Sequence, residues 1–204
     1  MSSYRIPSGS GKSEYVEKRS SFLGRVEIAE SEDAARAIIA EVKKEHRDAR
    51  HNCWCYIIKD GPERYSDDGE PQGTAGIPML EVFRKSGVTN AVCVVTRYFG
   101  GVLLGAGGLL RAYTKAAKDA LEDAGIKEVL PEAHLSLSCP YSLADRIRLE
   151  TSSFGAVIED ISYSADVTMR IRILADRADD YSARIFDMTA GSVKCSEIPS
   201  DTPD

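Results

Sequence analysis

The stretch from Asn90 to Gly125 leaves this chain little conformational choice. NAVCVVT is a continuous apolar run, RYFGGVLLGAGG follows with glycines at 100, 101, 105, 107 and 108, and LLRAYTKAAKDALEDAG then returns apolar residues at helical spacing. A buried strand must pass through a glycine-rich turn into an amphipathic helix. The helix stripe reads Leu109, Leu110, Tyr113, Ala117, Ala120, Leu121 and Ala124, with Gly125 as its stop. On the other side, Arg111, Lys115, Lys118 and Glu122 follow at steps of four, three and four.

Such a turn leaves backbone N–H groups free at the positive end of a helix dipole, which favours an anion. The residues expected to bind a phosphate or an RNA backbone are therefore Gly100, Gly101, Gly105, Gly107 and Gly108, supplemented by Arg97, Arg111 and Lys115. Tyr98 and Phe99, beside Arg97, are the stacking candidates. No Gly-Lys-Ser/Thr follows, so this is not a Walker loop, and the spacing is not a GxGxxG dinucleotide fingerprint. The plainer alternative is that these glycines only permit close packing of strand and helix.

Upstream, Glu14 to Ile28 reads as a strand or hairpin, with Gly24 a candidate bulge, after a polar N-terminus expected to be flexible. Ser31 is an N-cap, and Ala34, Ala35, Ile38, Ile39 and Val42 predict a helix to about Glu45 or His46. CWCYII is a strand, SDDGEPQGTAG a loop, and IPMLEVFRKSG a helix with Pro78 in its first turn and Gly87 just past its end. The loop holds Asp67, Asp68 and Glu70, a candidate recognition surface or Mg2+ site. The competing reading is a turn in which the aspartates bond local amides. His51, Cys53 and Cys55 share a strand face, but residues 51 and 55 are about 13 Å apart on an extended strand, too far for one zinc ion. His51 is read as a packed histidine or a polar group near the glycine-rich loop. Neither metal nor cofactor is expected.

The formal net charge of the 204 residues is -6, with nineteen basic and nineteen acidic side chains before residue 131 and seven against thirteen after it. That balance argues against a general DNA coat or a polybasic membrane anchor, and places any phosphate contact before residue 131. Five cysteines without a framework pattern read as reduced thiols, and no stretch has the apolar length of a secretory signal or a membrane span. A cytoplasmic location is the expectation. After Pro131 the rhythm changes to strand, helix, two strands, helix, strand, which is the βαββαβ order of a ferredoxin-like domain, with a frayed tail beyond Pro199. Two domains are expected, 1–130 and 131–204.

DARHNCWCYII (Asp48 to Ile58), RYSDDGEPQGTAGIPML (Arg64 to Leu80) and VVTRYFGGVLLGAGGLLRAY (Val94 to Tyr113) together resemble the Impact/YigZ family. The resemblance implies an α+β chain: an N-terminal ribosomal protein S five domain 2-like fold, followed by a C-terminal ferredoxin-like βαββαβ domain similar to one in elongation factor G. Eukaryotic family members are translational regulators, so the resemblance implies a translation-associated role with the ribosome, RNA or a translation-associated protein as partner. The first fold is shared with small-molecule kinases, which keeps open an enzyme acting on a small phosphorylated substrate or nucleotide in the same loop. No GxSxG, no Cys-His signature and no paired carboxylates accompany it.

Overall fold

The computed structural model describes residues 3–199, and the tail expected to fray after Pro199 lies outside them. Contacts divide the chain into a unit spanning Tyr4–Val129 and a second one that takes in the residues from Leu130 onward.

The first unit contains β1 (Tyr4–Pro7), β2 (Gly11–Glu17), β3 (Ser20–Ile28), α1 (Glu32–Glu45), β4 (His51–Ile57), β5 (Glu63–Ser66), α2 (Gly76–Ser86), β6 (Ala91–Tyr98), α3 (Gly105–Ala124) and β7 (Ile126–Val129). Five strands form one antiparallel sheet in the order β2-β3-β6-β4-β5. The strand β6 lies at its centre and is buried along Ala91–Arg97, because helices cover both faces of the sheet. Alternation along β6 divides its side chains. Val92 and Val94 pack with Ala35, Ile39 and Val42 of α1, whereas Cys93 and Val95 pack with Met79 and Phe83 of α2 and Tyr113 and Ala116 of α3.

The caps sit where the residue types place them. Ser31 Oγ accepts the Ala34 N–H at 3.1 Å, and Gly87 closes α2 in the left-handed region at φ 65°. Three sequence expectations change. Tyr4–Pro7 form a strand: β1 pairs with β7, the Arg5 carbonyl accepts from the Thr89 N–H at 2.9 Å, and Ile6 is buried. β5 was not expected. Gly24 makes no bulge, since it pairs in register with both Ser13 and Val95. What it allows is close approach of α3, because a methyl group there would sit 2.7 Å from the Ala116 carbonyl oxygen.

The second unit runs β8 (Glu132–Cys139), α4 (Tyr141–Ser153), β9 (Val157–Tyr163), β10 (Val167–Leu174), α5 (Ala178–Met188) and β11 (Cys195–Ile198). Its antiparallel sheet has the order β11-β8-β10-β9, the ferredoxin-like arrangement. Leu135, Leu137, Met169 and Ile171 alternate onto the face that Ile147, Tyr181 and Ile185 of the helices cover. The Thr151 and Tyr181 hydroxyls meet at 2.7 Å inside that core, so neither is left unbonded. Among the described residues no helix is long and apolar enough to cross a membrane.

Gly24→Ala is expected to cost about 1–3 kcal/mol, through displacement of α3 from the sheet. Gly9→Ala, where a methyl group would meet nothing within 4 Å, should change stability by less than about 0.5 kcal/mol. Urea denaturation of the two variants reads the difference.

Candidate functional site

Arg97 sits at the end of β6 and is not the surface cation that its place before a glycine-rich loop suggests. Its side chain follows Cys93 and Val95 onto the face covered by α2 and α3, with Phe22 and His51 directly opposite on the neighbouring strands. Its Nη1 donates to Glu70 Oε1 at 2.7 Å, and the two side chains are only 8% and 3% exposed. The Tyr113 hydroxyl, from α3, donates to the same oxygen at 2.8 Å. The guanidinium carbon lies 5.5 Å from the ring centres of both Phe22 and Phe99. Its Nε is the one buried side-chain nitrogen or oxygen without a hydrogen-bond partner among the described residues. The i, i+2 alternation from Cys93 is the sequence signal that could have placed Arg97 on this face.

In the acidic turn the aspartates bond nearby amides, as the competing turn reading has it. Asp67 Oδ1 accepts from the Ala75 and Gly76 N–H groups at 3.0 and 2.8 Å, and Oδ2 from Gly73 at 2.8 Å. It thereby caps α2, whose own first residues offer no side-chain cap. Asp68 Oδ2 accepts the Asn52 N–H at 2.8 Å, and Oδ1 meets Lys43 at 2.6 Å. Glu70 is buried. Asp67 and Asp68 are engaged by backbone amides and Lys43, Glu70 Oε1 by Arg97 and Tyr113, and no group of three or more metal-ligating side chains forms among the described residues.

The glycines divide by task. Gly100 packs against the Arg19 backbone, where a side chain has no room, and donates its N–H to Ser20 Oγ. Gly105 opens α3 with φ 72° and, with Gly107 and Gly108, belongs to the helix rather than to a loop. That first turn holds no acidic residue and its N-cap, Leu104, makes no side-chain bond. Gly101, Gly105 and Gly107 are exposed. Arg111 is exposed and lies back over the turn, its Nη1 3.6 Å from where a Gly107 methyl would stand. Lys115 follows on the same side, held by Asp119 at 2.6 Å. Tyr98 points to the α1 side, where it bonds Asp48 and His46, so it is not grouped with the loop. Phe99 is, and is half exposed.

Between the bonded turn and the loop lies a cleft of about 280 Å³, lined by Arg50, His51, Gly69, Glu70, Pro71, Arg97, Phe99 and Leu103. Arg50 and Leu103 were not singled out by their sequence context, since an arginine after a helix and a leucine in a loop carry no pattern. The cysteines are far from activation. Burial pushes the Cys53 thiol up to about 12, and burial together with the neighbouring Cys93 raises Cys55 as well. Burial, followed by the nearby Cys53 and Glu70, likewise raises the Tyr113 hydroxyl.

The model of the Impact N-terminal domain matches residues 18–121 of this chain. The chain belongs to the Impact family. A second model, described as a domain of unknown function (DUF1949), matches residues 137–192. The IMPACT family member YvyE of Bacillus subtilis is 34% identical over 199 residues, covering 97% of this chain and 92% of its own. YigZ of Escherichia coli is 34% identical over 202 residues, covering 97% and 99%. The Protein IMPACT homolog of Dictyostelium discoideum is 34% identical over 96 residues, covering 44% of this chain and 27% of its own. A solved structure titled as a hypothetical protein is 33% identical, with a TM-score of 0.68, covering 98% of this chain and all of that one. The α+β class, an Impact N-terminal fold followed by a ferredoxin-like domain, is thus established.

Arg97→Ala leaves Glu70 buried without its cation, and should cost about 3–5 kcal/mol in urea denaturation. Asp67→Ala should cost about 1–2 kcal/mol by uncapping α2. The Cys53 thiol, at about 12 folded against an ordinary 9.0, contributes stability that is complete below pH 9 and is lost as pH rises from 9 toward 12. Urea midpoints measured across that range should fall, and iodoacetamide at pH 8 should label Cys53 only in the unfolded chain.

Proposed function

We propose that this chain is a non-catalytic, translation-associated regulatory protein of the cytoplasm. Its first unit binds RNA phosphate or a ribosome-associated partner at the open end of α3. The observation that carries this reading is the combination at that end: an uncapped first turn of a 20-residue helix, exposed glycines, and an unpaired Arg111 folded over Gly107. Free N–H groups, a helix dipole and a guanidinium converge on one place, which suits an oxyanion.

The withdrawal of Arg97 into the core removes one expected cation and leaves Arg111 as the principal charge. The loop also exposes Leu103, at 83%, and Val102, at 40%. Apolar tips beside an anion-binding turn suit a partner that offers both phosphate and a less polar surface. The translation link itself rests on kinship with eukaryotic family members, and the Dictyostelium relative shares only part of its length with this chain.

Co-sedimentation with ribosomes and a filter-binding series with single-stranded RNA, each run across a range of salt, test the reading. Binding should weaken as salt rises, and Arg111→Ala should lower the log–log salt slope by about 0.7, one phosphate contact's share on a single strand. The melting temperature of the variant should match the parent, because the exposed Arg111 makes no ion pair. An unchanged slope in Arg111→Ala would remove the helix end from the interface.

A further inference from the structure

The cleft beside the Gly-rich loop shares only Leu103 with the groups assigned to the open helix end, and its walls are of three kinds. The first is cationic. Arg97 has its charge matched by Glu70, but Arg50 is exposed at the mouth and has no carboxylate partner among the described residues, so the cleft carries one uncompensated positive charge.

The second wall accepts hydrogen bonds. His51 Nδ1 lies 2.9 Å from the Asp68 carbonyl oxygen, and a carbonyl only accepts, so the ring proton is on Nδ1 and Nε2 is left as an acceptor. Glu70 Oε1 receives both Arg97 and Tyr113, which leaves Oε2 for a further donor. The third wall is flat and apolar. Phe99 has the Arg97 guanidinium on one face and is otherwise half exposed, and Leu103 stands beside it in the cleft lining.

A stacking ring, an unmatched cation and two acceptors are together what a nucleotide needs. We propose that this cleft holds one unpaired nucleoside monophosphate unit, its base against Phe99 and Leu103, its phosphate at Arg50, and an exocyclic amino group toward Glu70 and His51. The assignment rests on the RNA-binding reading above and narrows it to a residue-sized pocket with a preference. Adenine, cytosine and guanine carry an amino group whose two hydrogens can serve the two acceptors, whereas uracil offers only its single ring N3–H, so a uridine unit leaves one acceptor without a donor. The same chemistry can arrive as a free nucleotide or as an unpaired residue of an RNA strand.

Amide chemical shifts of the full chain separate the cases. AMP, CMP and UMP are titrated in turn, followed by an unpaired adenine-rich hexaribonucleotide and a fully paired duplex of similar charge. AMP and CMP should move the amides of Gly69 and Phe99, with UMP weaker by roughly tenfold. Phe99→Ala and Arg50→Ala should each weaken AMP by roughly tenfold, whereas Lys85→Ala, an exposed cation on α2, should not. A hexamer bound much more tightly than AMP identifies RNA as the source, and equal affinities identify the free nucleotide; either supports the pocket. Binding of AMP or the hexamer that Arg50→Ala and Phe99→Ala leave intact would overturn it. So would duplex binding equal to that of the hexamer, or an absence of shifts at Gly69 and Phe99 with every ligand. If RNA moves only the amides of Gly105 to Gly108, the pocket is lost and the helix-end reading stands. Cleft shifts without ribosome or RNA association would instead retain the pocket and sink the broader role.

Discussion

The first unit depends on one buried charge pair. Arg97 at the end of the central strand reaches Glu70 in a turn 27 residues earlier, and Tyr113 from α3 closes on the same oxygen. Three elements with no local reason to meet, β6, the acidic turn and α3, are tied at one carboxylate. A charge in so dry a place is costly unless matched and hydrogen-bonded, and here both conditions hold: the cation is 2.7 Å away, and a hydroxyl donates from the other side. The two phenyl rings beside the guanidinium exclude water from it, so the pair holds a geometry that a solvated pair would not.

The acidic turn then becomes intelligible as architecture. With Glu70 drawn inward, Asp67 is placed to receive three N–H groups at the start of α2, and Asp68 to receive Asn52 from β4. Asp68 at φ 43° and Gly69 at φ 88° carry the backbone through the left-handed region between these duties. Three carboxylates in four residues, which in isolation resemble a cation site, serve a helix end, a strand edge and a buried arginine. His51 enters the same arrangement by bonding the Asp68 carbonyl, and so has one nitrogen fixed by the turn and one left for the cleft.

How much of this was legible in the sequence follows from the range of each signal. Periodicity is local, and it yielded α1, α2, α3 and the whole βαββαβ order of the second unit. The caps at Ser31 and Gly87 were readable because a cap is a residue type at one position. β5 and β1 were not legible: each is four residues long and is a strand only because a partner lies beside it, β4 in one case and β7 in the other. Gly24 was misread for a related reason. A glycine in a strand marks either a bulge or a close neighbour, and the neighbour, α3, lies more than ninety residues along the chain. The pairing of Arg97 with Glu70 is of the same nonlocal kind, and only the alternation from Cys93, which the sequence reading did not use, bears on the face Arg97 takes.

The second unit sharpens the case for placing nucleic-acid contact in the first. The sheet face its helices leave uncovered presents His134, Ser136, Thr168, Arg170 and Arg172 along β8 and β10, and of these only His134 carries a ring, its side chain 16% exposed. Arg172 is matched by Glu132 and Glu159, His134 also meets Glu159, and Arg170 donates to the Pro199 carbonyl, so these groups are bonded within the same unit. A sheet that binds single-stranded RNA needs exposed rings for stacking and unmatched charge for the backbone. The second unit also carries the chain's entire net negative charge. In the first unit the proposed site draws on Phe99 with one face toward Arg97, Arg50 without a carboxylate partner among the described residues, and the α3 amides that no side chain caps. The buried pair is matched in charge, with only the Arg97 Nε left without a partner, and the proposed recognition draws on the neighbours whose groups are not matched.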